Sequence, residues 1–134
     1  MADTVATQTL RDDDRYLVMK FTCISDGTGE SAVTKIDVSS LATRSLDGAE
    51  CTGVVIDKLY YDISGLKVQI LWDATADVVC FIVTESTAGH LDFSCFGGLT
   101  NNAGAGKTGD VKFTTTSADS GDTYSIIMFM RKEY

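Results

Sequence analysis

The chain predicts an all-β fold, an antiparallel β-sandwich or jelly-roll-like domain of about eight strands. Three observations carry that expectation. Apolar and polar residues alternate with period 2 over much of the chain, most clearly from Tyr60 to Met130. Gly, Asn or Asp breaks the alternation about every eight to twelve residues, the spacing of short strands joined by turns. No segment carries a convincing helical period.

The 134 residues suit one domain, with 44% hydrophobic and 22% charged residues. Proline is absent and glycine numbers 12. Turns must therefore come from Gly, Asn, Asp and Ser, and sheet edges must be protected by charge or by a partner. The net charge of −8 repels nucleic acid and anionic membranes, and no basic patch offsets it. The expectation is no nucleic-acid and no membrane partner, with no signal peptide and no long apolar run.

Residues 1 to 15 are polar and include Asp12-Asp13-Asp14. They read as an extended N-terminal arm without a core of its own, leaving residues 16 to 134 as a single β-sandwich domain. Leu17, Met19, Phe21 and Cys23 form one face of the first strand. After the turn Ser25 to Gly29, Val33 is out of phase with Ile36 and Val38, which predicts a bulge or break near Thr34-Lys35. Val38 to Leu41 fits a short helical turn.

Gly53 to Ile63 is rich in β-branched and aromatic residues, and both of its faces are partly apolar. Ser64-Gly65 then leads into Leu66, Val68, Ile70 and Trp72, the best candidate for a hairpin. Val78 to Thr84 reads as a buried strand, Glu85 to Gly89 as a turn, and Leu91, Phe93 and Cys95 as a short strand. Residues 97 to 109 form a long glycine-rich connection, and long loops in compact domains often carry function. Val111 to Thr115 and Thr123 to Lys132 complete the set.

The four cysteines, Cys23, Cys51, Cys80 and Cys95, contain no C-x-x-C pair, so neither a metal nor a cofactor is expected. Free thiols in a reducing compartment are the expectation, with Cys23, Cys80 and Cys95 packed within strands. Gly106-Lys107-Thr108 resembles the end of a phosphate-binding loop. Asn101 stands where that motif needs glycine, and a strand rather than a helix follows. His90 is the only histidine, so a catalytic set would depend on it, and it falls in a turn. Asp12-Asp13-Asp14 lacks the spaced ligands of a calcium loop and reads as a solvated cluster. Tyr60 and Tyr61 suit cross-strand packing, with sugar stacking as the alternative. No catalytic residues are assigned.

Taken together, Leu71-Trp72-Asp73-Ala74-Thr75, Asp92-Phe93, Phe96-Gly97-Gly98, residues 101–110 (Asn-Asn-Ala-Gly-Ala-Gly-Lys-Thr-Gly-Asp), Phe113-Thr114-Thr115, Gly121 to Ile126 and Met130-Arg131-Lys132 resemble small virion structural proteins of tailed bacteriophages. The resemblance covers about half the chain. It implies a non-enzymatic protein of the particle, foremost a capsid decoration (cement) protein. Such a protein is made in the host cytoplasm and bound outside the major capsid protein, its expected partner besides its own copies. The alternatives are a receptor- or glycan-binding fibre module and a tail component. Composition, not a known family site, nominates Leu10, Arg11 and Arg15 of the arm and Asn101, Asn102 and Lys107 of the loop as the capsid or subunit interface.

Overall fold

The computed structural model describes residues 4–84 and 88–134. Nine strands form: β1 (Thr4–Asp12), β2 (Tyr16–Asp26), β3 (Val33–Ile36), β4 (Gly53–Ser64), β5 (Lys67–Trp72), β6 (Val78–Val83), β7 (Ala88–Asp92), β8 (Val111–Thr116) and β9 (Ser120–Glu133). They build a five-stranded sheet in the order β1-β2-β9-β4-β7 and a four-stranded sheet in the order β3-β8-β5-β6. Every pairing is antiparallel, so the all-β sandwich is the observed architecture.

The core lies between the sheets. Leu17, Met19, Phe21 and Cys23 of β2 and Tyr124, Ile126, Met128 and Met130 of β9 point inward from the larger sheet. They meet Val68, Ile70 and Trp72 of β5 and Val111 and Phe113 of β8, with Phe21 set edge-on to Phe113 at 5.0 Å. Each such side chain, fully buried, contributes about 1.5–3 kcal/mol, which is why period 2 dominates the sequence.

Residues 4–12, expected within a free arm, instead hydrogen-bond to β2 as an edge strand. Thr4 to Arg11 are exposed on both faces, so β1 joins the sheet without joining the core. The hairpin expected at Ser64-Gly65 does not form. β4 pairs with β7 and β9, whereas β5 pairs with β6 and β8, so the chain crosses from one sheet to the other there. Gly65 takes φ +87 at the crossing, a conformation that costs glycine little.

The two half-apolar faces of β4 have a local cause. A register shift between Ile56 and Lys58 bulges Asp57 and reverses the phase. Val54 and Ile56 face inward before it, Leu59 and Ile63 after it. A shift between Thr34 and Ile36 occurs where the phase slip in the sequence predicted it, and Val38–Ser40 form a single 3-10 turn capped by Asp37.

Strand β7 ends at Asp92, and Ser94–Phe96 form another 3-10 turn, so Cys95 is exposed rather than packed in a strand. Among the described residues no disulfide forms: Cys23 and Cys51 are buried, and burial pushes the Cys80 thiol up to about 12. Of the turn expected at Glu85 to Gly89, residues 85–87 lie outside the described residues and Ala88-Gly89 open β7. At the end of the sandwich where β8 turns into β9, the Tyr124 hydroxyl donates to Glu30 Oε1 at 2.6 Å. Lys35 Nζ lies 2.5 Å from Glu30 Oε2, both side chains nearly covered. A buried ion pair with its lone pairs satisfied in this way is tolerated.

Candidate functional site

At the opposite end β1 and β9 finish, β2, β4 and β8 begin, and the 37–52 and 97–110 connections cross over. Three consecutive aspartates organise one side of it. Asp12 accepts the Ala42 N–H at 2.8 Å through Oδ2 and the Lys132 ammonium at 2.6 Å through Oδ1. Lys132 Nζ also donates to the Ala42 carbonyl at 2.7 Å. Asp13 Oδ1 accepts the N–H groups of Tyr16 (2.7 Å) and Arg15 (3.0 Å), closing the β1–β2 turn. Those two backbone bonds, with Arg11 beside them, hold the Asp13 carboxyl down at about 2. Asp14 Oδ1 receives both the N–H and the hydroxyl of Ser45, and the Asp14 carbonyl accepts the Tyr134 hydroxyl at 2.7 Å.

The expected solvated cluster is therefore a set of three separate anchors, each with its own donors. Among the described residues no group of three or more His, Cys, Asp or Glu side chains is placed to hold a metal ion.

The 97–110 connection covers the other side. Ile56 and Leu99 exchange backbone hydrogen bonds at 3.1 and 2.8 Å. The Arg131 guanidinium donates to Asp57 at 2.9 Å and to the Gly97 carbonyl, pinning the start of the connection to the bulge in β4. Thr108 Oγ1 donates to Asp73 Oδ2 at 2.7 Å, and Thr75 N–H to the Ala105 carbonyl at 3.1 Å, seating the middle on the β5–β6 turn. Gly106-Lys107-Thr108 thus runs into strand β8, without the helix N-terminus that a phosphate loop requires.

The six nominated residues fall on this end in two groups. Leu10, Arg11 and Arg15 are exposed around the β1–β2 turn, Arg11 paired with Asp13 at 2.5 Å and lying 5.1 Å from the Tyr16 ring. Asn102 and Lys107 are exposed on the glycine-rich connection. Asn101 is more structural: its Oδ1 accepts the Ala103 N–H, while its Nδ2 is buried without a partner. The Arg15 carbonyl accepts the Lys132 N–H at 2.7 Å, Glu133 pairs with Gly53, and Gly109 packs on Thr52, so the end of β9 and the start of β4 link the two groups.

Sequence reasoning missed Arg44 and Tyr134, whose guanidinium and ring stack at 4.7 Å, and Leu46, 88% exposed. Their sequence carries no periodic signal, because a loop and a chain terminus meet there only in the folded state.

His90 lies on the exposed edge strand β7, stacked on Tyr60 at 5.2 Å, with Phe129 5.4 Å from Tyr60. Tyr60 is exposed on the outer face, whereas Tyr61 is half-buried against the core. A groove of about 370 Å³ lies nearby, lined by Arg11, Tyr16, Lys58, Ser94 and Phe129 among others.

No protein-family model matches the chain, and no curated protein is significantly similar to it. Fold and surface define it as a small acidic antiparallel β-sandwich, with one end built from long, internally tied connections.

Proposed function

We propose that this chain is a non-enzymatic structural protein of a tailed-phage particle, a capsid decoration protein that binds outside the major capsid protein. The observation that supports this reading is the convergence of Leu10, Arg11 and Arg15 with Asn102 and Lys107 on one end of the sandwich. That end is held by Asp12–Lys132 and Arg131–Gly97, so its loops are ordered before a partner arrives and lose less freedom on binding. Exposed cations on a chain of net charge −8 are the groups that meet an acidic patch on a capsid subunit. Many weak, symmetry-related contacts then add up by multivalency.

Co-sedimentation with expanded capsids of the phage encoding the chain tests this. Arg15→Glu and Lys107→Glu each weaken binding by roughly tenfold, whereas Lys67→Glu, the same charge change on β5, leaves it unaltered. Equal effects from all three, or no binding by the unaltered chain, overturn the reading.

The stacked Tyr60 and His90 beside Phe129 favour a second reading, a glycan-binding fibre or tail module, because an outward aromatic platform suits sugar faces. Binding to host glycans that is lost in Tyr60→Ala, without binding to capsids, selects it.

A further inference from the structure

The four edges of the two sheets are unequal. β7 is five residues long and contains Gly89; β3 is four and bulged. β6 is six residues long, with a register shift that leaves Cys80 unpaired opposite Ile70-Leu71. Short length and bulges are the usual protections of an edge. β1 is nine residues long, and Thr4 to Leu10 contain no charge, no proline and no glycine. Its register to β2 is continuous from Thr4 to Thr9, so its other edge presents a regular row of backbone donors and acceptors. Both faces of β1 are exposed over that length, with Val5 at 48%.

We propose that two copies of this chain pair through β1, antiparallel about Thr7, joining their five-stranded sheets into one continuous sheet. The occupant is a second copy, because an antiparallel edge strand is complementary to itself about a two-fold axis and this stretch sets no like charges together. Two chains of net charge −8 repel wherever acidic surface meets, and Thr4 to Leu10 is a neutral strip. The flanking Arg11 and Asp13 are already paired with each other. A two-fold at Thr7 sets Thr7 against Thr7, Val5 against Thr9 and Ala6 against Gln8, within the regular stretch that ends at Thr9. This register sets β-branched side chains together at Thr7–Thr7 and Val5–Thr9 and opposes no like charges.

The bulge at Leu10 and the charges from Arg11 onward end the ladder at both limits. The contact is isologous, so one pairing event satisfies both free edges and cannot propagate into a filament. This inference is independent of the capsid reading, and neither fails with the other.

Sedimentation equilibrium of the full chain at tens of micromolar tests it. The unaltered chain sediments at twice the 14.4 kDa chain mass. Thr7→Lys brings two ammonium groups together at the two-fold and raises the dissociation constant by roughly a hundredfold, with far-UV circular dichroism unchanged because residue 7 is exposed. A monomeric unaltered chain, or a folded Thr7→Lys that remains dimeric, overturns the proposal. A second measurement uses Thr7→Cys in a Cys95→Ser background with oxidised glutathione. Facing thiols at the axis lie within disulfide reach and give a covalent dimer, whereas Ser125→Cys in the same background does not. Absence of the Thr7→Cys cross-link in a chain that still dimerises overturns the two-fold at Thr7.

Discussion

Lys132 holds its ammonium 2.6 Å from the Asp12 carboxylate across 120 positions of sequence, with its own side chain wholly covered and that of Asp12 19% exposed. Burial by itself pulls the Lys132 ammonium down, but the hydrogen bond and charge of Asp12, with Tyr134 nearby, outweigh it and leave the group raised. The pair closes the end of the sandwich by tying β1, the 42–47 loop and β9 together.

The two partners are not equivalent. Asp12→Ala leaves a covered cation without its carboxylate, held by the Ala42 carbonyl and the nearby Tyr134 ring, and costs about 3 kcal/mol, the scale for breaking a buried pair. Lys132→Met keeps the packing of the stem and leaves a carboxylate that water reaches and that still accepts the Ala42 N–H, for about 1–2 kcal/mol. Urea denaturation of both variants measures the difference. The opposite order would show that the side-chain stem, rather than the charge, holds this end.

Two glycines of the 97–110 connection separate chain geometry from mere looseness. Gly109 takes φ +89, and a methyl group there would overlap the Thr52 carbonyl oxygen, a backbone atom that cannot step aside. At Gly104 nothing lies within 4 Å of an added methyl. Gly109→Ala is expected to cost about 3 kcal/mol or more, and Gly104→Ala to stay within about 0.5 kcal/mol of the unaltered chain. Comparing the thermal midpoints decides it, and a stable Gly109→Ala would contradict the close packing of β8 on the start of β4.

The β1–β2 turn carries a pH signature. Asp13 is held at about 2 in the folded chain, against an ordinary value of 3.8. A carboxyl lowered by folding contributes stability above its unfolded pKa and loses it as pH falls through the folded one. The contribution is whole above about pH 5 and fades toward about pH 2. Asp13→Asn keeps an oxygen to accept the Tyr16 and Arg15 N–H groups but removes the titration. Melting curves from pH 6 to pH 2 should therefore fall less steeply for Asp13→Asn. Asp47, lowered to about 2 chiefly by Arg44, supplies a second component over the same window and remains in that variant. Parallel curves would remove Asp13 from the acid transition.

Strands that bury one face were legible in the sequence, because burial writes period 2 directly into β2, β8 and β9. The break at Lys35 was legible for the same reason, since a bulge shifts the phase of the alternation. Of the site, the exposed cations and the glycine-rich connection could be nominated from composition. The roles of Asp12, Asp13 and Asp14 could not, because consecutive carboxylates look alike until each meets a different donor.

By itself, the sequence determined the all-β class, most strand positions and the acidic surface, all consequences of local alternation and charge. Only the tertiary structure decided which strands pair. Gly53 to Trp72 reads as one hairpin, yet Gly65 hands the chain from one sheet to the other. β1 has no apolar face to announce it and exists as a strand because β2 supplies its hydrogen bonds. Alternation reports which side of a strand is buried; it says nothing about the neighbour on the hydrogen-bonding edge, since backbone donors and acceptors are the same for every residue but proline.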